Sequence, residues 1–414
     1  MIDPRTRTGL LLALLLFASL GVAAAKAGKT EKPSPEAEYR SGWLASIPTP
    51  PPSPSRPSQG SYEVFDEHGK KVGEARPKSW QPTPEDYRKA RDLAVSHMSR
   101  AAEADPKNVT YQASLSYWAY ASIQYDKAKD AADAALARER RDPLLYVLRG
   151  QAEAALVMLD PVKAGGNIGK AMTAFDRAAE LDPQNALPVL QAVSVALDVD
   201  RLDLVQPRLK QALSRPACRL YRLSIPADLQ TGKAESLRTW EQLQMGLWSG
   251  LLARCQNVST RLLRFGRQEE KEGKLDAAEA NYRQALAVSR LVGRAEPHLL
   301  ITLGVAMDML DPTYAALSRF AAARQQEAEA KGDAVAAARW KGEVEHWQGE
   351  AGILVIGRAE LEADVTRYFE AVAKTPPATP EEMLKIESQT IERAYLGVGL
   401  GEKEPAKAPA PAPR

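Results

Sequence analysis

Cysteine and histidine are scarce in this chain, which narrows the chemistry open to it. Its 414 residues include two cysteines and four histidines. No C-x-x-C pair occurs and the histidines are scattered, so zinc and dithiol redox sites are not expected. Cys218 and Cys255 could form a disulfide in an oxidising compartment. We favour two separate buried thiols, because sequence alone does not bring their Cα atoms within the roughly 7 Å that a bridge needs.

An excess of charge of one sign is also missing. The 55 Lys and Arg residues are balanced by 53 Asp and Glu residues, which argues against a dedicated nucleic-acid-binding protein. Aromatic residues make up only 6% of the chain, whereas hydrophobic residues make up 44%. The chain therefore has enough apolar side chains for a packed core. We expect that core to depend on close approach of helices through small residues.

Long hydrophobic runs are absent except at the N-terminus. Arg5 and Arg7 precede an apolar run over 9–22, and alanines at 23–25 offer a cleavage site. This layout is typical of a secretory signal peptide, and the run is shorter than a comfortable membrane span. We therefore predict a signal peptide over 1–25 and an exported protein, periplasmic or extracellular. Contact with a membrane is expected only if the N-terminal segment is retained as a tether.

Composition divides the rest of the chain. Residues 26–60 are rich in Pro and Ser, which predicts an extended, disordered linker. Alternating apolar residues around Gly69 predict a short extended segment or hairpin within 61–80. The Pro/Ala-rich tail over 401–414 is expected to be disordered. Between them, 81–400 reads as amphipathic helices broken at prolines and glycines, including Pro143, Pro312 and Gly332.

The common catalytic motifs are missing as well. No G-x-S-x-G, H-E-x-x-H or Rossmann glycine pattern occurs. Glu343 and His346 form a single E-x-x-H, and a carboxylate di-iron site needs a second copy. The sequence therefore predicts no catalytic residue, no metal and no cofactor. Carboxylates that converge only in three dimensions would escape this reasoning, so a carboxylate-based hydrolase remains an alternative.

One spacing recurs within the helical region: a small residue, a larger one four positions later, a small one three further on, and sometimes a proline. Small side chains at a helix crossing allow two helices to pack closely, and proline ends the second helix. Four predicted second helices carry this spacing. Its residues are Ala94, Met98, Ala101, Pro106; Ala171, Phe175, Ala178, Pro183; Ala278, Tyr282, Ala285; and Ala316, Phe320, Ala323. Two of these segments are preceded by a predicted first helix with a small residue at the matching position. That residue is Gly266 in the helix before Ala278, and Gly304, next to Leu303, in the helix before Ala316.

With this spacing, the chain resembles the tetratricopeptide repeat family, best over 259–328. The resemblance implies an all-α fold, an α–α superhelix of stacked helix pairs, here with irregular capping helices. A generic alanine-rich helical bundle is the alternative. In that family the first helix of each pair lines a concave, ligand-binding groove. The matching positions of this chain are Tyr117, Tyr120, Thr260, Leu263, Arg267, Glu270, His298, Ile301, Val305 and Asp308.

These observations favour a scaffold or adaptor that holds a protein partner of unknown identity in its groove. Tyrosines and arginines are frequent in binding hot spots, although Tyr117 and Tyr120 could equally pack against a neighbouring helix. A structural component of an envelope assembly, held to a membrane by its N-terminal segment, is the main alternative. A local cluster of arginines, Arg254, Arg261, Arg264 and Arg267, is interpreted as a solvated helix face.

Overall fold

The computed structural model describes residues 33–46, 62–65, 71–75, 83–159, 164–226, 234–375, 377, 379–398 and 400. The predicted signal peptide and the predicted C-terminal tail lie outside these residues, as does most of the predicted linker. Within the described residues the fold is almost entirely helical. No helix there is long and apolar enough to cross a membrane.

The elements follow one another along the chain with short connections. The helices are α1 (Pro35–Ala45), α2 (Pro84–Ala104), α3 (Val109–Ala121), α4 (Tyr125–Leu136), α5 (Pro143–Leu159), α6 (Ala164–Leu181), α7 (Leu187–Asp198), α8 (Leu202–Leu213), α9 (Ala234–Lys271), α10 (Leu275–Gly293), α11 (Leu300–Ala330), α12 (Ala334–Lys374), α13 (Pro380–Thr390) and α14 (Glu392–Gly397). The strands are β1 (Tyr62–Phe65), β2 (Lys71–Ala75), β3 (Cys218–Arg219) and β4 (Ala295–Glu296).

Successive helices pack against each other from α1 to α8 and again from α9 to α12. The odd-numbered helices also contact one another in order, α3 with α5, α5 with α7, α7 with α9, and α9 with α11. We call these odd-numbered helices the inner helices and the even-numbered ones the outer helices. Two layers of alternating helices are the arrangement that stacked helix pairs produce. The predicted all-α architecture of helix pairs is confirmed in this respect.

Helix α1 corrects the predicted linker over 26–60. Ser34 accepts a hydrogen bond from the Ala37 amide at the start of the helix, and Pro35 occupies the first turn. Trp43 is fully buried, and its ring lies 5.6 Å from that of Trp118 on α3. The residues flanking α1 are proline-rich, which hid a capped helix with two aromatic anchors. Residues 35–45 are therefore part of the first helix pair.

The short strands β1 and β2 form an antiparallel pair, in the part of the chain, 61–80, where the sequence predicted a short extended segment or hairpin. Helix α2 begins as its sequence indicates. The Thr83 side chain accepts from the Asp86 amide, and the Asp86 carboxylate accepts from the Thr83 amide, which is a capping box. The turns at Gly273 and Gly332 have positive φ angles of 76° and 70°. Glycine adopts this conformation without a side-chain clash.

Most of the predicted packing positions are buried. Ala94, Met98, Ala101, Ala171, Phe175, Ala178, Ala278, Tyr282, Ala285, Leu303, Ala316 and Phe320 are at most 2% exposed. A Cβ atom on Gly266 would come within 2.4 Å of the Tyr282 ring, so this glycine is what lets α9 and α10 pack so closely. Helices α2 and α6 end shortly before Pro106 and Pro183, as predicted.

Helix α11 corrects three predictions. The predicted break at Pro312 is wrong, because α11 continues through it from 300 to 330. The two helices predicted over 298–328 are therefore one helix, which pairs with α12 instead. Ala323 is exposed, and a Cβ atom on Gly304 would meet nothing within 4 Å. Neither residue is at a helix crossing. Buried neighbours, including Thr313 and Tyr314, hold the helix together despite the missing proline amide.

Candidate functional site

The predicted partner-binding residues fall into three groups along the inner helices. Tyr117 and Tyr120 lie on α3. Four residues lie on α9, namely Thr260, Leu263, Arg267 and Glu270. The last four lie at or near the start of α11, namely His298, Ile301, Val305 and Asp308.

The α3 tyrosines face α9 and not open solvent. Tyr117 is 8% exposed, and burial raises the pKa of its hydroxyl well above the usual value. A Cβ atom on Gly246 would come within 2.8 Å of that hydroxyl, so the glycine makes room for the ring. The Tyr120 hydroxyl accepts a hydrogen bond of 2.7 Å from Arg254. For both residues, packing against a neighbouring helix is the interpretation that the structure supports.

A partly open cavity of about 350 Å³ separates α9 from α3, α5 and α7. Its polar wall groups already bind one another: Arg254 lies 3.6 Å from the Asp198 carboxylate, and Asn257 donates to both Asp198 and Ser194. Asp198 is the one acidic side chain among the lining residues. A hydrolytic carboxylate pair needs two acids facing one bond. This cavity does not provide such a pair.

An extended stretch of the chain itself, residues 217–226, covers part of the inner face of the N-terminal half. We call it the inner segment. It begins beside the turn between α6 and α7, where the Ala186 amide donates to the Ala217 carbonyl. It continues as β3, which pairs in parallel with β4. The Asn185 side chain accepts a hydrogen bond from the Arg219 backbone amide and donates one to the Arg219 carbonyl. The segment thus starts at α7 and runs across the stack.

Polar side chains hold the rest of the inner segment by its backbone. Trp248 donates from its indole nitrogen to the Tyr221 carbonyl at 2.9 Å. The Gln244 amide group donates to the Leu223 carbonyl at 2.6 Å and accepts from the Leu223 amide. At the far end the Tyr39 hydroxyl of α1 donates to the Ser224 carbonyl. Side-chain contacts of this kind to successive backbone groups are how a binding groove holds an extended peptide.

Apolar side chains of the inner segment complete the core. Leu220, Leu223 and Ile225 are each at most 6% exposed. Helix α7, which lies beneath, is buried along its whole length from Leu187 to Leu197. The inner face of the N-terminal half is therefore filled by the inner segment and by α9. A partner could reach this part of the predicted groove only by displacing them.

The open part of the inner face is on α9. Thr260 and Arg267 are exposed, as the groove prediction requires. Leu263 is not, because it is 5% exposed and packs in the core. Glu270 is already engaged by the Tyr282 hydroxyl at 2.6 Å and by Arg319 at 3.1 Å. The Leu263 prediction is therefore wrong, because the helix turns this position toward its neighbours.

Two more residues belong to the same row: Arg264, which the sequence analysis assigned to a solvated helix face, and Lys271, which it did not single out. Arg264 and Lys271 are exposed on the face of α9 that carries Thr260 and Arg267, since residues three or four apart lie on one helix face. No carboxylate within the described residues pairs with Arg264, Arg267 or Lys271. The other two arginines of the predicted solvated cluster point inward instead. Arg261, for example, donates to the Leu197 carbonyl on α7.

On α11 the predicted residues are half-buried and partly covered. Ile301 and Val305 pack at the edge of the core. Asp308 lies 3.2 Å from Arg358 on α12; burial raises the pKa of its carboxyl, and the arginine opposes that effect. The His298 ring lies 4.6 Å from that of Tyr395 on α14. The C-terminal helices thus cover one end of the α11 row.

The two cysteines offer little reactivity. In this structure both cysteines are free and buried, and burial raises the pKa of Cys218 to about 12 and that of Cys255 well above its usual value. A buried thiol with a raised pKa carries little reactive thiolate. The suggested disulfide is not formed here. Within the described residues, no three His, Cys, Asp or Glu side chains are grouped to hold a metal ion.

Comparison with known proteins gives weak likenesses. No family model matches the chain, and no curated protein matches it. Among solved structures, a thermophilic TPR protein from Thermus thermophilus is 19% identical, with a TM-score of 0.30, and the match covers 53% of this chain and 91% of that one. MamA is 16% identical, with a TM-score of 0.29, and the match covers 50% and 96%.

Proposed function

We propose that this protein is an exported scaffold that binds an extended, acidic segment of a protein partner along the exposed row of α9. The row consists of Thr260, Arg264, Arg267 and Lys271. The single observation that carries the proposal is the set of three exposed cations without carboxylate partners on the part of the inner face that the chain leaves open. A basic surface of this kind attracts an acidic peptide and speeds its association.

The neighbouring helix supplies a second wall. Helices α9 and α11 pack against each other, and Ile301 and Val305 are half-buried apolar side chains in the first two turns of α11. Gly304 lies between them with no atom within 4 Å of the position a Cβ would occupy. A peptide backbone can therefore approach α11 closely at this point. Acidic side chains of the partner would reach α9, and its apolar side chains would contact α11.

The inner segment supports the same mode of binding. It shows that the polar and apolar residues of this inner face hold an extended chain by its backbone carbonyls and amides. Among the described residues, the open part of this face lies on α9 and α11, so the partner is expected there and not beside Tyr117. The predicted hot spot at Tyr117 and Tyr120 is not part of this proposal, since both tyrosines pack against α9.

Fluorescence anisotropy with labelled acidic and basic decapeptides tests the proposal. The acidic peptides should bind, with an affinity that falls as the salt concentration rises. The double variant Arg264→Glu/Arg267→Glu should weaken binding at least tenfold. The matched control is Arg138→Glu/Arg140→Glu, which reverses two exposed arginines on the outer turn between α4 and α5. Equal losses in both variants, or equal binding of basic peptides, would reject a specific site on α9.

Export is the second part of the proposal and rests on the sequence of 1–25. The mature protein should begin at Lys26 after processing. N-terminal sequencing of the protein recovered from an envelope preparation checks this. Recovery of the intact N-terminus in the membrane fraction would instead support the tethered alternative. In neither case does the peptide-binding experiment depend on the result.

A further inference from the structure

The cavity between α9 and the helices α3, α5 and α7 contains two polar side chains that its own walls leave unsatisfied. Its other polar side chains form one network with each other, namely Tyr120, Ser194, Asp198, Arg254 and Asn257. Tyr117 and Gln151 also line the cavity and lie outside this network. They are only 8% and 5% exposed. A buried polar group without a partner costs free energy, so two of them facing one cavity indicate a ligand site.

The orientation of the Gln151 side chain follows from hydrogen bonds that cross α5, α7 and α9. Gln191 on α7 donates from its side-chain nitrogen to the Leu251 carbonyl at 3.0 Å. Its side-chain oxygen is therefore the atom that faces Gln151, and the Gln151 nitrogen donates to it at 3.1 Å. The Gln151 side-chain oxygen accepts no hydrogen bond from the described residues, and its second N–H is also unused. Gln151 thus offers the cavity an acceptor and a donor.

Tyr117 on α3 supplies the second unpartnered group. Its hydroxyl makes no hydrogen bond with any described residue, whereas the Tyr120 hydroxyl on the same helix accepts from Arg254. Gly246 of α9 lies beside the Tyr117 hydroxyl and has no side chain that could bind it. A phenolic hydroxyl both donates and accepts. A ligand in the cavity can therefore bind Tyr117 in either sense.

The remaining wall is apolar and fits a single ring. Leu247 and Leu251 of α9 are at most 2% exposed and form the inner end of the cavity. Gly250 is exposed and lies at its mouth, where a Cβ atom would meet nothing within 4 Å. On the α3 side, the rings of Tyr117 and Tyr120 favour an aromatic ligand, since paired rings stabilise each other beyond their buried area. A volume of about 350 Å³ is near the lower end of small-molecule sites.

The charges and the free polar groups of the wall select an uncharged ligand with one hydroxyl. The charged side chains among the lining residues are Asp198 and Arg254, which lie 3.6 Å apart and offset each other. A charged ligand would therefore be buried without a counter-ion. One hydroxyl is enough to donate to Gln151 and to accept from Tyr117. A sugar carries several hydroxyls, and most of them would stay unpaired in this cavity.

We propose that this cavity binds an uncharged aromatic ring that carries one hydroxyl group, as phenol and the tyrosine side chain do. The ring packs on Leu247 and Leu251, and its hydroxyl binds Tyr117 and Gln151. The basic row on α9 does not line the cavity, so this binding is independent of the proposed peptide binding. A free phenol and a tyrosine of a partner present the same chemical group, and the experiments below distinguish them.

Isothermal titration calorimetry of the full-length chain with phenol, toluene and benzoate tests the proposal. Phenol should bind at one site per chain. Toluene has nearly the same shape without the hydroxyl, and it should bind at least tenfold more weakly because Tyr117 and Gln151 stay unpaired. Benzoate carries a charge and should bind more weakly than phenol. Absence of saturable phenol binding, equal affinity for toluene, or tighter binding of benzoate each overturns the proposal.

Tyr117→Phe separates the contribution of the hydroxyl from that of the ring. The variant should bind phenol at least tenfold more weakly and toluene as well as the wild type does, because only a hydroxyl contact is lost. Its Tm should not fall, since the hydroxyl has no partner in the fold. An equal loss of affinity for both ligands would mean that Tyr117 only shapes the cavity, and it would contradict the proposed contact.

Gly250→Leu tests the location of the site, because the new side chain would occupy the mouth of the cavity. Phenol binding should be lost, while circular dichroism shows unchanged helicity. The matched control is Gly349→Leu on α12, an exposed helical glycine with equally open surroundings, which should bind phenol as the wild type does. Unchanged phenol binding in the Gly250 variant would place the ligand elsewhere and overturn the proposal.

N-acetyltyrosinamide distinguishes the two sources of the ligand, because it presents the same phenol group on a neutral peptide backbone. Binding of N-acetyltyrosinamide as tight as that of phenol, and lost in Gly250→Leu, assigns the cavity to a tyrosine of a partner. Binding of phenol without binding of N-acetyltyrosinamide assigns it to a free small molecule. Binding of neither compound overturns the proposal.

Discussion

The inner faces of the N-terminal and C-terminal halves of the stack meet different neighbours. In the N-terminal half, α3, α5 and α7 are covered by the inner segment and by α9, and α7 is buried along its whole length. In the C-terminal half, α9 exposes a row of uncompensated cations, and α11 has a half-buried glycine, Gly304, with open space beside it. The same helix-pair architecture therefore produces a closed core in one half and an accessible surface in the other. The two halves differ because the inner segment and α9 occupy the inner face of the N-terminal half.

This contrast limits what a repeat spacing predicts about which helix faces are exposed. A small residue at the right position indicates a close crossing only where a second helix arrives there. Gly266 and Gly304 occupy equivalent places in the predicted pattern. Only Gly266 lies against a neighbouring ring. The pattern therefore predicts the helices and their pairing better than it predicts which faces stay open.

The largest expected effect tests whether α1 belongs to the closed half. Trp43→Ala should lower the free energy of unfolding by about 3–5 kcal/mol, because it removes a fully buried aromatic side chain and leaves a cavity. Urea unfolding followed by circular dichroism measures it. Leu93→Ala, at a position on α2 that is 51% exposed, is the control and should change the value by less than about 0.5 kcal/mol. Similar small losses for both would mean that α1 is only loosely attached.

The two glycines of the repeat provide a matched pair. Gly266→Ala should cost about 2–3 kcal/mol, because the new Cβ would overlap the Tyr282 ring and force the helices apart. Gly304→Ala should stabilise the protein by about 0.5–1 kcal/mol, because the new Cβ atom has free space and alanine suits a helix interior better than glycine. The same unfolding measurement compares them. If both variants are destabilised alike, the open surface at α11 is not as the structure places it.

Particular residues show which parts of the fold could be predicted from the sequence alone. The spacing around Ala171 and Ala278 predicted buried crossings, and Thr83 predicted a helix start; all three are confirmed. Helix α1 was missed because prolines on both sides hid the pattern of Tyr39 and Trp43. The nearly continuous apolar run of α7 could have indicated a helix covered on every side. The path of the inner segment could not be predicted, since its partners come from α1, α7 and α9 and meet only in three dimensions.

Gln244 tests how firmly the inner segment closes the N-terminal half. Gln244→Ala should cost about 1–2 kcal/mol, because the buried amide and carbonyl of Leu223 lose their partner. The control is Gln206→Ala, which removes an exposed side chain paired with Gln284 and should be nearly neutral. Hydrogen exchange of the 217–226 amides should accelerate in the Gln244 variant alone. Unchanged exchange there would show that the apolar contacts of Leu220, Leu223 and Ile225 are sufficient.

The smallest effect concerns the ion pairs that join α1 to α2. The Glu38 carboxylate lies 3.0 Å from Arg100 and 2.6 Å from His97. Hydrogen bonding to Arg100 is the main cause that lowers the pKa of Glu38, with partial burial opposing it. Because the folded pKa lies below the unfolded one, the charged carboxylate stabilises the fold at neutral pH. That contribution disappears as the pH falls through the folded pKa.

Glu38→Gln should therefore lower the Tm at pH 7 by roughly 1–2 °C, as expected for a contribution below 1 kcal/mol in a chain of this size. The difference between variant and wild type should shrink as the pH falls below 4.5, the ordinary pKa of Glu, and through the lower folded pKa, where the wild-type carboxylate becomes protonated. Thermal unfolding at a series of pH values measures this, with Glu103→Gln, which changes an exposed carboxylate of α2, as the control. A difference that stayed constant through the whole acid range would assign the Glu38 contribution to packing, and the junction of α1 with the closed half would then not depend on charge.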